Sequence, residues 1–422
     1  MENKIITVAV IGCGSRGLDS YSKCMKDDNR YKIVAACDTR QVRLDLAIEE
    51  YGVKKENTFL DENEFFKEKR ADLCIIATQD QQHVGHCLKA LKLGYDCLCE
   101  KPISPSKEEC LKLLKAQQES GHKVIVCHVL RYAPAYTKVY NMINDGLIGQ
   151  LVDIHAIEQV THWHIAHSYV RGNWRNSETT SPMILAKCCH DLDLLQWYAH
   201  SKCKTVSSIG SLTYFKKENM PKDATTRCKD CPHKQTCPYS AEYVYIKMWK
   251  DAGSPSSRWP QNVVCLDYPL TEEKIRNAYE NHPTYGQCVF ACDNNVVDHQ
   301  ETNVLFENGV TANLCMTGFT GMGGRKYAFH GTIGSIDLDE ERQEIVYKPF
   351  AKEMVCYKFD QLPDVSGGHG GGDAALLNSL YDVLTDKKDA STALEASIES
   401  HLMSFAAEES RLEDGKCIKI HD

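Results

Sequence analysis

The chain predicts an α/β protein in two parts: a Rossmann dinucleotide-binding domain, then an α+β domain with a large open sheet, mixed or antiparallel. Three observations carry this. An early apolar run ends in a glycine-spaced loop, strands then alternate with helices, and from about Leu151 strand-like runs follow one another instead. The division is residues 1–130, residues 131–372 with a cysteine-rich insertion at about 214–295, and residues 373–422 as helices packing back on the body.

The first element is the β-branched run Ile5 to Ile11, which stops at Gly12-Cys13-Gly14-Ser15-Arg16-Gly17. A helix-compatible segment and a second apolar run, Ile33 to Cys37, lead to Asp38. In such a frame Gly12 makes the tight turn, Gly14 lets the backbone approach a pyrophosphate, and Gly17 lets helix close on strand. The phosphates would sit at the helix N-terminus, beside Ser15 and Arg16, where free N–H groups favour negative charge. Asp38 lies about 20 residues beyond the last glycine, placed to accept from a ribose 2′-hydroxyl. With Thr39 and Arg40 it forms the adenosine end of the site. Its charge would meet a 2′-phosphate, which favours NAD over NADP, while Arg40 keeps NADP open.

The alternation continues with a helix at Gln41–Tyr51, a buried strand at Ala71–Ala77, a helix at Gln81–Leu93 and a strand at Tyr95–Glu100. A helix at Ser106–Ser120, opened by a capping box of Ser106 and Glu109, precedes a strand at Lys123–His128. Ligands bind at the strands' carboxyl ends, so the loops Thr78–His83, Glu100–Pro102 and His128–Tyr132 are where chemistry belongs. In the second part, strands are expected at Leu151–Val160, Lys204–Leu212, Thr302–Phe306, Thr311–Met316, Tyr327–Gly331, Ser335–Leu338 and Glu344–Tyr347. Asn308-Gly309 is a hairpin signal between two of them. From Asp373 apolar periodicity at Leu376, Leu380 and Leu384, then at Ile398, Leu402 and Phe405, predicts helices.

A formal net charge of −9 argues against general nucleic-acid or anionic-membrane binding, and no apolar run could span a bilayer. No export signal is visible ahead of the first strand, so the expected location is the cytoplasm. There the 21 cysteines read as reduced thiols rather than a disulfide framework.

Glu100-Lys101-Pro102 closes a buried strand where a nicotinamide would lie. A lysine there can hold a hydroxyl and stabilise the alkoxide it becomes, with Glu100 orienting it. The glycine fingerprint, then Thr78 and His83, then Ala90-Leu91, Gly94 and Cys99-Glu100-Lys101-Pro102, together resemble the Gfo/Idh/MocA family of sugar and cyclitol oxidoreductases over essentially the whole chain. The resemblance implies that Lys101 assists catalysis and that Thr78 and His83 lie along the cofactor. It also suggests a homo-oligomer, dimer or tetramer.

Ser181-Pro182 is expected to open a helix, as N-cap and first turn, that carries Lys187, His190 and Asp193 three apart. An imidazole suits a general base that takes a hydroxyl proton. The resemblance places the family's catalytic helix here and makes His190 that base. Its usual pattern has an aspartate four residues before the histidine; this chain has Ala186 there, with Lys187 beside it as a further expected catalytic residue and Asp191, after His190, as an expected substrate contact.

Just upstream, His162-Trp163-His164 and His167 to Trp174 are dense in aromatic and hydrogen-bonding groups, so His164, Tyr169, Arg171 and Trp174 are expected substrate contacts. Arg131 and Tyr132, after a Rossmann strand, are expected on the cofactor or substrate side. The stretch Gly367 to Asp373 is read as a loop delivering His369 to the site. In the insertion, Cys228-x2-Cys231-x5-Cys237 reads as a metal motif completed by Cys288 or Cys292, holding a structural zinc or, alternatively, an iron–sulfur cluster, far from the catalytic loops.

The expected activity is NAD-dependent oxidation of a sugar or glycoside hydroxyl. The alternative is a redox-neutral glycoside hydrolase, in which transient oxidation permits elimination, water addition and re-reduction.

Overall fold

A computed structural model describes residues 4–362 and 368–421; Gly367, the first residue of the glycine-rich stretch, lies outside the described residues. Six parallel strands, β1 (Ile6–Ile11), β2 (Tyr31–Cys37), β3 (Thr58–Phe59), β4 (Leu73–Ile76), β5 (Asp96–Cys99) and β6 (Val124–Val126), form one sheet in the order β3-β2-β1-β4-β5-β6. The order reverses between β1 and β4, which opens a crevice at their carboxyl ends. β4 is buried along its whole length, as its continuous apolar run requires.

The second sheet has nine strands: β7 (Leu151–Thr161), β8 (Cys203–Ser211), β9 (His299–Phe306), β10 (Thr311–Thr320), β11 (Gly324–Gly331), β12 (Gly334–Asp339), β13 (Glu344–Pro349), β14 (Val355–Lys358) and β15 (Ile418–Lys419). Their order is β14-β13-β12-β11-β7-β10-β9-β8-β15, antiparallel except where β7 runs parallel to β10. Gly309, at φ +89°, turns the hairpin between β9 and β10. Along β7, Ile154, Ala156, Glu158 and Val160 face the core, while Val152, His155 and Ile157 face outward. Helices Pro134–Asn144 and Cys189–Ala199 cover the inner face.

Three pairings were not expected. β3 and β15 are two residues long, and β14 is mostly exposed, so none carries a burial pattern that periodicity could register. The expected helix from Ser181 is also different. It runs as Met183–Ala186 and Cys189–Ala199, broken at Lys187, and Pro182 rather than Ser181 is the cap. The Ser181 hydroxyl donates instead to Asp80 (2.7 Å). Ser106 does cap its helix, its Oγ accepting from the Glu109 N–H at 3.3 Å.

The terminal helices are Gly372–Leu384 and Leu394–Leu412. Leu376 and Leu380 join the core of the first sheet, whereas Leu394 and Met403 of the longer helix enter cores on either side of the domain boundary.

Candidate active site

Between the two sheets lies a cleft of about 420 Å³. From the first sheet it is lined by Gly14, Ser15, Arg16, Arg40, Thr78, His83, Glu100 and Lys101. From the second part come His164, Tyr169, Trp174, Lys187, His190 and His369. The local cause on the first side is the turn after β1. Gly12 has φ +87°, and a Cβ there would collide with the Ala77 carbonyl; a Cβ on Gly17 would collide with the Gly12 carbonyl. Gly14 faces open cleft, with its nearest neighbour, an Arg40 Nη, 3.8 Å from where a Cβ would be. These residues fit a dinucleotide, whose phosphates need that free backbone edge.

Asp38 sits just behind the rim. Its carboxylate accepts from the Cys13 N–H (2.8 Å) and from Arg40 Nε (2.9 Å) and Nη2 (3.1 Å), which fixes both beside the glycine loop. Thr39 beside it is exposed. His83 bonds the Pro102 carbonyl (2.7 Å) through Nδ1, tying the loop after β4 to the Glu-Lys-Pro turn.

Arg16 reaches Glu100 (2.6 Å) and Asp373 (2.9 Å), and Tyr21 donates to Glu100 (2.5 Å). Burial pushes the Glu100 carboxyl up, but Arg16 and Tyr21 outweigh it, and the net shift is downward. Lys101 turns the other way: its Nζ donates to the Ala186 carbonyl at 2.9 Å, across the domain boundary. His190 is buried, and its Nδ1 has no hydrogen-bond partner. Burial first, then the charge of Lys101, lowers its pKa well below the usual imidazole value, so it stands neutral at pH 7. The His369 ring lies 6.0 Å from it and bonds Asp373 (3.2 Å).

Several expected residues are placed elsewhere. Arg131 is turned away from the cleft lining onto Asp193 (2.6 Å) and the Ser391 carbonyl (2.9 Å), and Tyr132 pairs with Thr392 (3.0 Å). Asp193 therefore leaves the cleft face that its spacing from His190 suggested. Asp191 lies one layer back, accepting from Arg325 (2.8 Å) and Tyr327 (2.9 Å). Arg171 points into the insertion, against Cys228 (3.5 Å). The insertion itself is not remote. Its Trp259 ring stands 4.9 Å from His164 and 5.4 Å from His167, closing the cleft from above. Cys228, Cys231, Cys237 and Cys288 do line one small cavity, but among the described residues no three cysteine sulfurs lie within 4.8 Å of one another.

Glu158, Arg325 and Asp80 are among the residues that were not anticipated. Glu158 on β7 pairs with Lys187 (3.2 Å) and with Arg325 on β11 (2.7 Å). Strand parity was the available signal: Glu158 falls on the inward side with Ile154 and Ala156, as Arg325 does with Tyr327 and Phe329. Asp80 accepts from Trp174 Nε1 (3.0 Å) and from Ser181, pinning the aromatic loop to the nucleotide side. No local pattern announces it.

A Rossmann crevice faced by two half-buried lysines and a buried histidine has the groups that an NAD-dependent oxidoreductase needs. The comparisons agree. Residues 6–128 match the oxidoreductase family, NAD-binding Rossmann fold, and residues 141–419 match that family's C-terminal alpha/beta domain. The chain belongs to the Gfo/Idh/MocA oxidoreductase family. It is 24% identical to the putative oxidoreductase YteT of Bacillus subtilis over 334 residues, 76% of this chain and 74% of that one. It is 23% identical to inositol 2-dehydrogenase of Salmonella typhimurium over 207 residues, 48% of this chain and 56% of that enzyme. Among solved structures, the fold matches an Agrobacterium radiobacter oxidoreductase in complex with NAD+, L-tartaric acid and magnesium (TM-score 0.70, 15% identity, 98% of each chain). It also matches aldose-aldose oxidoreductase of Caulobacter crescentus (TM-score 0.69, 13% identity, 99% of this chain and 100% of that one).

Proposed function

We propose that the protein oxidises a secondary hydroxyl of a sugar or cyclitol. NAD, held along Gly14, Ser15, Thr78 and Lys101 with Asp38 and Arg40 at its adenosine end, supplies the hydride acceptor when bound. His190 takes the hydroxyl proton at its Nδ1, which has no partner among the described residues and belongs to a residue lining the cleft. Lys101 steadies the alkoxide with its charge, and Lys187, paired to Glu158 on one side only, offers its remaining N–H groups to a neighbouring hydroxyl. His164, Tyr169, Trp174 and His369 provide ring faces and donors for a polyol.

The observation that carries this reading is the Lys101–Ala186 contact, which docks the end of β5 against the turn that presents Lys187 and His190. Kinship to the inositol dehydrogenases supports the substrate class. The test is anaerobic incubation with sugars, cyclitols and aryl glycosides while following nicotinamide absorbance and aglycone release together. NADH accumulating without bond cleavage is expected. Sustained aglycone release with no net NADH would replace this reading by the redox-neutral glycosidase.

The protein is further read as a cytoplasmic homo-oligomer. Val152 and Ile157 are 49% and 39% exposed on the outer face of β7, at the centre of the large sheet, where a second copy would cover them. Among the described residues no helix is long and apolar enough to cross a membrane.

A further inference from the structure

A second cavity, of about 50 Å³, lies inside the insertion. Cys228, Cys231, Cys237 and Cys288 line it with Arg171. The backbone brings them there deliberately: Cys228 N–H donates to the Gly286 carbonyl (2.9 Å) and Cys288 N–H to the Thr226 carbonyl (3.0 Å), an isolated bridge that sets the two distant cysteines side by side. Pro232 and Pro238, each directly after a cysteine, then turn the chain so that Cys231 and Cys237 face the same space.

Arg171 is the second observation. It is 0% exposed, and its guanidinium meets only the Gln287 carbonyl (2.7 Å), the Tyr239 carbonyl (2.8 Å) and the Cys228 sulfur (3.5 Å). Its Nη1 has no hydrogen-bond partner, and among the described residues no carboxylate pairs with it. A buried cation without an anion is costly unless something negative stands opposite. Four thiols carry no charge, whereas four thiolates around a metal centre do.

The spacing does not suit a single zinc. With zinc–sulfur bonds of about 2.3 Å, a zinc tetrahedron holds its sulfurs about 3.8 Å apart. Here no three cysteine sulfurs among the described residues come within 4.8 Å of one another. Four sulfurs spread around a cavity suit a larger inorganic core. Backbone N–H donation to sulfur, as from Ala241 to Cys228 (3.5 Å), is the kind of contact that such cores use.

We infer that Cys228, Cys231, Cys237 and Cys288 hold an iron–sulfur cluster, with Arg171 as its buried counter-charge. Iron and sulfide are delivered to the site, and the four thiols release their protons on ligation. The cluster's role is positional. The segment Ala166–Arg171 presents His167, Ser168 and Tyr169 to the cleft and Arg171 to the cluster, so the same turn is clamped at one end to hold the substrate at the other.

The test is anaerobic purification of the full chain from iron-replete cells, with iron, zinc and acid-labile sulfide counted per chain and the visible spectrum recorded. About four iron and four sulfide are expected, with a broad absorption band that bleaches on reduction. Cys231→Ser should lose most of the iron and sulfide. Removing the cluster with chelator under oxidising conditions should raise the KM for the substrate and leave NAD affinity unchanged. One zinc per chain without sulfide overturns the assignment, as does metal-free wild-type protein with a native melting transition.

Discussion

Two buried charge networks face each other across the cleft, and they are built from the same residue types. On the cofactor side Arg16 is shared by Glu100 and Asp373, and Tyr21 caps Glu100. On the substrate side Arg325 is shared by Glu158 and Asp191, and Tyr327 caps Asp191. The difference lies in the lysines. The first network consumes its charges in tying the glycine loop, the end of β5 and a terminal helix together. The second leaves Lys187 with a single ion pair, and Lys101 beside it with a single carbonyl partner, among the described residues. One network is a clasp. The other leaves ammonium groups with donors to spare.

The largest effect that this contrast predicts is at Lys101. Lys101→Met should lower kcat about a thousandfold, within the range that a positioned acid–base group contributes. The melting temperature should change little, because Nζ makes one hydrogen bond inside the protein. Steady-state kinetics with nicotinamide titration checks this, and a loss below tenfold would mean that the free lysine charge is not what the cleft uses.

Next comes Glu158→Gln, which separates a structural network from a catalytic one. Glu158 is 2% exposed and pairs two cations, so removing its charge leaves Lys187 unpaired and Arg325 with Asp191 alone. Breaking such a buried pair costs about 3 kcal/mol. Chemical denaturation should show it. Unchanged stability with a lost kcat would recast Glu158 as a group that works on substrate directly.

The two halves of the molecule also differ in how far the sequence reveals them. The nucleotide half follows from local chemistry: glycines where a Cβ would strike a carbonyl, an acid after β2, a lysine after β5. Each requirement is met within a few residues, so a linear reading finds it. The substrate half is assembled across the sheet. Glu158 and Arg325 meet because β7 pairs with β11, a register that neither strand announces. Arg131 reads as a site residue until Asp193, 62 residues on, is seen to hold it. The cysteine motif is legible by spacing, but the fourth sulfur and the proximity of the insertion to the cleft depend on how the long loop returns.

The smallest effect concerns the clasp and carries a sign. Asp373 accepts from Arg16 at 2.9 and 3.1 Å and from His369 at 3.2 Å. Burial raises its pKa, but His369 and Arg16 lower it further, so the folded value lies well below the ordinary carboxylate range. A depressed folded pKa contributes stability above the unfolded value, about 3.9, and loses it as pH falls through the folded value. Asp373→Asn should therefore cost about 2 kcal/mol near neutrality, typical of a charge-assisted hydrogen bond. The loss is smaller than at Glu158 because Arg16 keeps Glu100 as a partner and no lysine is left unpaired, as Lys187 is there. The gap between wild type and variant should narrow from about pH 4 downward, as the unfolded wild-type chain takes up the proton that the folded carboxylate resists. Denaturation curves of both proteins across that range measure it. A gap that persists at low pH would mean that Asp373 acts through its shape at the start of the terminal helix, and that the clasp owes little to its charge.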